Sequence, residues 1–193
     1  MILWIRARRV LPVLVPCLLA FLLVITAGRQ ENVLLPGLSG GRNRVQLVHL
    51  APLIITSALT YCLNQKLAEA ELTTVRRIRL LDAALSTTAV ALAASVSCLV
   101  AALTHTDLLY EVGRNTVFLA GVMLIAGALH PQAATLAPVA WVFTVMFAGY
   151  RDYDRPWMWA VTLHPAHIVV TASFCLVVFT TGLAVGHRSP RSS

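Results

Sequence analysis

The chain has 193 residues, of which 58% are hydrophobic and only 12% charged, and its formal net charge is +7. Soluble domains carry roughly a quarter of their residues charged, and one soluble core cannot hide apolar runs that recur along the whole length, so a soluble globular domain is excluded. The basic residues lie between the apolar runs, which is the placement of cytoplasmic-side anchors for anionic headgroups and not of a nucleic-acid surface.

The first apolar run is 10–27, preceded by Arg6, Arg8 and Arg9. It has some character of a signal peptide, with Ile25 and Ala27 at plausible cleavage positions. An apolar segment, Met1 to Ile5, precedes the arginines, however, and that is foreign to a signal peptide. Residues 1–9 are therefore read as an interfacial segment with Trp4 at headgroup level. Residues 28–44 form a loop rich in Gly, Arg and Asn, followed by a second run at 45–63, a polar connector at 64–82 and a third run at 83–103. A polar stretch at 104–114 carries Asp107, Glu111 and Arg114.

From 113 to 149 the chain is almost continuously apolar, broken by His130-Pro131-Gln132. One helix over those 37 residues would be about 55 Å long, against a hydrocarbon core of about 30 Å. Two spans, 113–129 and 132–149, joined at that interruption fit better than one long kinked helix. A loop at 150–163 leads to a last run at 164–186, and 187–193 is a polar tail. The expected fold is thus all-α: a polytopic transmembrane helix bundle of about six spans. With the N-terminus cytoplasmic, nine basic residues fall inside and six outside. A five-span count gives the same ratio, so the positive-inside rule supports the orientation and is silent on the number. Arginine supplies every basic residue except Lys66, and alanine is abundant, a bias that points to a GC-rich bacterial genome and so to a bacterial plasma membrane.

The connector places Glu69 and Glu71 before Arg76, Arg77 and Arg79. Acid first and base last suits a helix macrodipole, and Leu72, Val75 and Ile78 share one face. A short amphipathic helix at the inner surface is expected, either docking a cytoplasmic partner or serving as a solvated connector anchored by its arginines. In the third run Ala89, Ala93, Ser97 and Ala101 recur every four residues. This ridge of small side chains lets a neighbouring helix approach closely. Trp157 and Trp159 read as an aromatic belt at the outer interface.

Residues that could carry chemistry are few. The four cysteines, Cys17, Cys62, Cys98 and Cys175, lie in different runs with no CxxC spacing, and isolated cysteines in apolar helices behave as small hydrophobes. His49 begins the second run, His164 and His167 begin the last, and Asp82 and Arg114 sit at boundaries. A mid-span carboxylate of the kind an ion-coupled pump needs is missing. His164 and His167 lack a third ligand and read as a helix start. Gly37-Leu38-Ser39-Gly40 matches the G-x-S-G string of intramembrane serine proteases, but Arg42 and Arg44 follow it and it reads as a turn. Neither an HExxH nor a P-loop occurs, so no enzymatic activity and no bound cofactor are expected.

An interfacial N-terminal segment, six short spans and a helical connector between spans two and three resemble the membrane subunit of an ABC-2-like ABC exporter. The connector Glu69-Ala70-Glu71-Leu72-Thr73-Thr74 is similar to that family's coupling segment. The strings from Gly113 to Gly121, Pro156 to Trp159 and Leu163 to Pro165 look like small actinobacterial permease-like proteins. The chain is shorter than the larger family and lacks its long loop before the last span. The resemblance implies a separate cytoplasmic ATPase that binds ATP and Mg and docks on Lys66, Glu69, Glu71, Arg76, Arg77 and Arg79. It also implies a second membrane subunit, and a pathway between the two. Apolar spans with scattered Ser and Thr suit an amphipathic or lipophilic substrate. The alternative is a non-transporting scaffold or accessory subunit of a larger membrane complex; an intramembrane enzyme is the weakest reading.

Overall fold

The computed structural model describes residues 10–28, 32–36, 42–64, 75–152, 155–165 and 167–188. Six helices occur among them: α1 (Val10–Ala27), α2 (Ala51–Asn64), α3 (Val75–Thr104), α4 (Asp107–Leu129), α5 (Ala133–Ala148) and α6 (Val169–Arg188). Single 3-10 turns, Leu47–Leu50 and Val161–Leu163, precede α2 and α6. Four of the helices, together with the continuous stretch Leu47–Asn64, make five elements long and apolar enough to cross a membrane. α5 is apolar but only 16 residues long. This is the architecture of a membrane-embedded helical bundle.

Two short antiparallel hairpins add to the all-helical reading. β1 (Asn32–Pro36) pairs with β2 (Arg42–Gln46), and β3 (Tyr150–Asp152) pairs with β4 (Arg155–Pro156). The first occupies the segment expected to be loop. The Gly37–Gly40 string falls between its strands, outside the described residues.

α4 is the central helix and packs against α2, α3, α5 and α6. Its buried face includes Leu109, Val112, Thr116, Leu119 and Met123. α1 lies at the periphery on α2 and α3, pinned by the fully buried Phe21 and Ile25. The outside of the bundle is as apolar as its inside: Leu19 and Leu23 on α1, Leu99 and Leu103 on α3, and Val170 and Val177 on α6 are exposed. In water this would be costly; in hydrocarbon it is neutral, and helices are then held by close packing and hydrogen bonds.

Glycine supplies that close packing between α4 and α6. A Cβ at Gly121 would stand 2.8 Å from the backbone N and Cα of Phe179, and one at Gly182 would stand 2.8 Å from the Gly121 carbonyl oxygen. Phe118 also meets Phe174, with ring centroids 6.3 Å apart. Contacts that advance together along both helices mean that α4 and α6 run parallel.

α3 and α4 form an antiparallel hairpin with a two-residue turn. His105 has φ 51°, and the Thr106 amide donates to the Ala101 carbonyl at 3.2 Å. This is a Schellman cap with His105 in the left-handed position where glycine is usual. Ser97 Oγ then donates to the Leu109 carbonyl at 2.6 Å across the pair.

Several expected boundaries move. α4 begins at Asp107, so most of the stretch expected as a polar loop is helical and Arg114 lies about two turns inside the helix. Asp107 in the first turn complements the helix dipole, which favours that early start. The second run begins as strand and 3-10 turn, and its α-helix starts at Ala51-Pro52, because proline lacks the amide a helix interior needs and is tolerated in the first turn. The last run is not helical until Val169; Pro165 keeps His164 extended, at ψ 144°. Likewise His130, at ψ 133°, precedes Pro131 and separates α4 from α5.

The connector is corrected as well. Residues 65–74, with Lys66, Glu69 and Glu71, lie outside the described residues. From Val75 onward there is no separate surface helix: Arg76, Arg77 and Arg79 sit on the first turns of α3 itself. No Gly or Pro falls between Val75 and Thr104, so helical hydrogen bonding runs uninterrupted from the polar into the apolar sequence.

Candidate functional site

The polar side chains that the bundle brings together lie at the end that holds the β1–β2 hairpin, where α4 starts. After α5 the chain leaves through Gly149, turns at β3–β4, with the Trp157 amide donating to the Gly149 carbonyl at 2.8 Å, and folds back as residues 160–165. In this return segment the carbonyls of Ala160, Val161 and Pro165 accept single backbone amides, from Leu163 at 2.9 Å, His164 at 3.5 Å and Ile168 at 3.4 Å, and buried carbonyls without such a partner must find other donors.

Two successive residues of α4 supply them. Arg114 Nη1 donates to the Pro165 carbonyl at 3.0 Å, and Nη2 donates to the carbonyls of His164 at 2.6 Å and Val161 at 3.3 Å. Asn115 Nδ2 donates to the Thr162 carbonyl at 2.8 Å. Arginine suits this role because its planar, permanently charged fork presents several donors in fixed directions. A charge this far into an apolar helix is expensive unless it is paired or hydrogen-bonded, and here the backbone carbonyls, with the Glu111 carboxylate one turn earlier, carry the compensation.

Asn115 and Thr162 also line a small cavity of about 20 Å³ with His49, Leu119, Val142, Val145, Met146 and Leu163. That is room for roughly one water molecule. His49 Nδ1 is buried without a protein partner, as are Arg114 Nε, Gln46 Oε1 and Trp141 Nε1. Beside the cavity an aromatic chain links three elements: Phe118 to Trp141 with centroids 5.1 Å apart, and Trp141 to Trp159 at 6.2 Å, edge to face. Among the described residues no group of three or more His, Cys, Asp or Glu stands together as a metal site would require.

The residues singled out from sequence are dispersed. Ala89, Ala93, Ser97 and Ala101 are all buried; Ser97 meets α4, its Cβ coming within 3.4 Å of a Cβ built at Gly113. Trp157 and Trp159 stand about 40% exposed on the loop beyond α5, with Met158 at 92%. The Arg151 guanidinium lies 5.1 Å from the Trp157 ring centroid. Trp4 lies outside the described residues, as do the side chains of Arg76 and Arg77. Arg79 is half-buried and, like Asp82, engaged by a neighbouring group. Among the described ones, none lines the cavity at Asn115 and Thr162.

Arg114, Asn115, His49 and Thr162 are the residues that sequence reasoning passed over as boundary or loop positions. A signal existed. Gly113-Arg-Asn-Thr and Leu163-His-Pro165 were two of the strings that carried the family resemblance, and it is these two strings that Arg114 ties together. The chain matches no family model, no curated protein and no solved structure.

Proposed function

We propose that the chain is the membrane subunit of an ATP-driven, ABC-type exporter of an amphipathic or lipophilic substrate, working with a separate cytoplasmic ATPase that binds ATP and Mg. The observation that carries this reading is the length of α3. Its 30 residues span about 45 Å, some 15 Å more than a hydrocarbon core, and the excess is the basic start at Arg76, Arg77 and Arg79. A partner bound there, on the connector that includes Lys66, Glu69 and Glu71, would hold a rigid lever. The lever's other half meets α4 at Ser97, which bonds the Leu109 carbonyl. Movement of the ATPase would therefore reach the central helix without an intervening flexible joint, and nucleotide would act by favouring one of two helix arrangements.

In this reading the N-terminus faces the cytoplasm of a bacterial cell and α5 is the sixth span. Its 16 residues cover about 24 Å, a mismatch that local thinning of the bilayer absorbs. The described interior of one copy is closely packed, so the pathway lies between this chain and a second membrane subunit. The test is co-purification of the intact chain from its native membranes, followed by ATPase assay of the complex. A nucleotide-binding protein should come down with it, and its activity should fall when Glu69, Glu71, Arg76 and Arg77 are replaced together. Recovery of no such protein, or activity insensitive to all four changes, would sink the proposal.

The same close packing favours a second reading, a non-transporting accessory subunit that needs no pathway. An accessory subunit would leave substrate efflux intact when Glu69, Glu71, Arg76 and Arg77 are replaced together; a permease would not.

A further inference from the structure

We propose that residues 161–165 are a strap latched onto α4 by Arg114 and Asn115, and that release of the strap opens the pocket beneath it to a small amphipathic guest. This goes beyond the export reading, because strap and pocket belong to this chain alone and need no ATPase.

The latch is built from side-chain donors on a helix and backbone acceptors on a non-helical segment. Four carbonyls of the strap, at Val161, Thr162, His164 and Pro165, are held by two neighbouring residues. Such bonds can be exchanged for water without disturbing any helix. The strap is anchored at its start, where Ala160 is buried and Trp159 packs on Trp141, and is open at its far end, where Pro165 and His167 are exposed.

What the strap covers has the character of a site. Thr162 and Leu163 form one wall of the cavity. The rest of the lining is apolar, Leu119, Val142, Val145 and Met146, apart from Asn115 and His49. The His49 Nδ1 is buried with no partner, whereas nearly all buried polar atoms in native structures are paired. An apolar floor with a few hydrogen-bonding groups is how small-molecule pockets are made. The closed volume, about 20 Å³, admits only a water-sized guest, so any larger occupant requires the strap to lift.

Cys175 provides the reporter. It is 1% exposed and packs with Leu119, Val142 and Met146. In the full-length chain, in native membrane vesicles, Cys17, Cys62 and Cys98 are replaced by alanine so that Cys175 is the sole thiol. Its labelling by N-ethylmaleimide is then timed. Arg114→Gln should raise the labelling rate about tenfold, equivalent to 1.4 kcal/mol, with Arg114→Lys between it and the parent. Asn115→Ala, a milder lesion, should act in the same direction by a smaller factor and keeps the test open if Arg114→Gln fails to reach the membrane. Saturating 1-decanol should then slow labelling of Cys175 in the unlatched variant, but not of Cys98 in a matched variant, since Cys98 is exposed on the bundle exterior. An unchanged Cys175 rate in the variants that reach the membrane overturns the strap. So does an equal rise at the buried Cys62 in a matched variant, which would mean that the whole bundle had loosened. Protection of Cys98 and Cys175 alike overturns the pocket.

Discussion

The Arg114 guanidinium donates to the carbonyl of His164 at 2.6 Å, across fifty residues of sequence. This contact fixes where the segment between α5 and α6 returns to the bundle. Replacing Arg114 with Met should cost about 2 kcal/mol, because its charge-assisted bonds to three strap carbonyls are lost. Arg114→Lys should recover part of this, since one ammonium cannot reach three divergent carbonyls. Thermal unfolding of the detergent-solubilised chain measures both. A Met variant within about 0.5 kcal/mol of the parent would show that water replaces the arginine.

The α4–α6 contact should be intolerant of a single methyl group. A Cβ at Gly121 meets backbone, which cannot rotate aside, so Gly121→Ala should destabilise by about 2 kcal/mol through overpacking. Gly186, on the same helix as Gly182, has open space around its position. There alanine should be neutral or should stabilise by up to about 1 kcal/mol through helix propensity. Comparing the two variants by thermal melting separates helix crossing from propensity; equal effects would refute the close approach.

His105 is held at φ 51°, a conformation that costs an L-residue roughly 1 kcal/mol and costs glycine little. His105→Gly should therefore raise the stability of the α3–α4 hairpin by about that amount. A melt showing loss of stability would mean that the imidazole makes a contact worth more than the backbone strain.

Ser97 combines size and hydrogen bonding. Ser97→Ala keeps the close α3–α4 approach and loses the bond to Leu109, a change of about 1 kcal/mol. Ser97→Leu should cost more, up to about 3 kcal/mol, because it forces Gly113 and its helix away. Equal losses for the two substitutions would mean that only the hydroxyl matters.

Much of the helical body was legible in the chain. The interruption at His130-Pro131-Gln132 could be read because proline constrains the residue before it, whatever surrounds it. The burial of Ala89, Ala93, Ser97 and Ala101 follows from a four-residue repeat, which keeps small side chains near one helix face. Less legible were the early start of α4 and the run of α3 into the connector. Helical hydrogen bonding does not stop where hydropathy changes, and Asp107 and Arg79 look like loop residues only when polarity is taken as the boundary.

The sequence by itself determined that this chain lives in a bilayer, since 58% hydrophobic residues in recurrent runs leave water no surface to solvate. It also determined where the principal helix break falls. Only the tertiary structure decided that α4 is the centre, that glycine sets the α4–α6 crossing, and that Arg114 and Asn115 hold a distant return segment over His49. These depend on which faces meet. In an exterior and interior of equal hydropathy, the pattern of apolar residues does not say which face turns inward; close packing and the need to satisfy each buried polar group do.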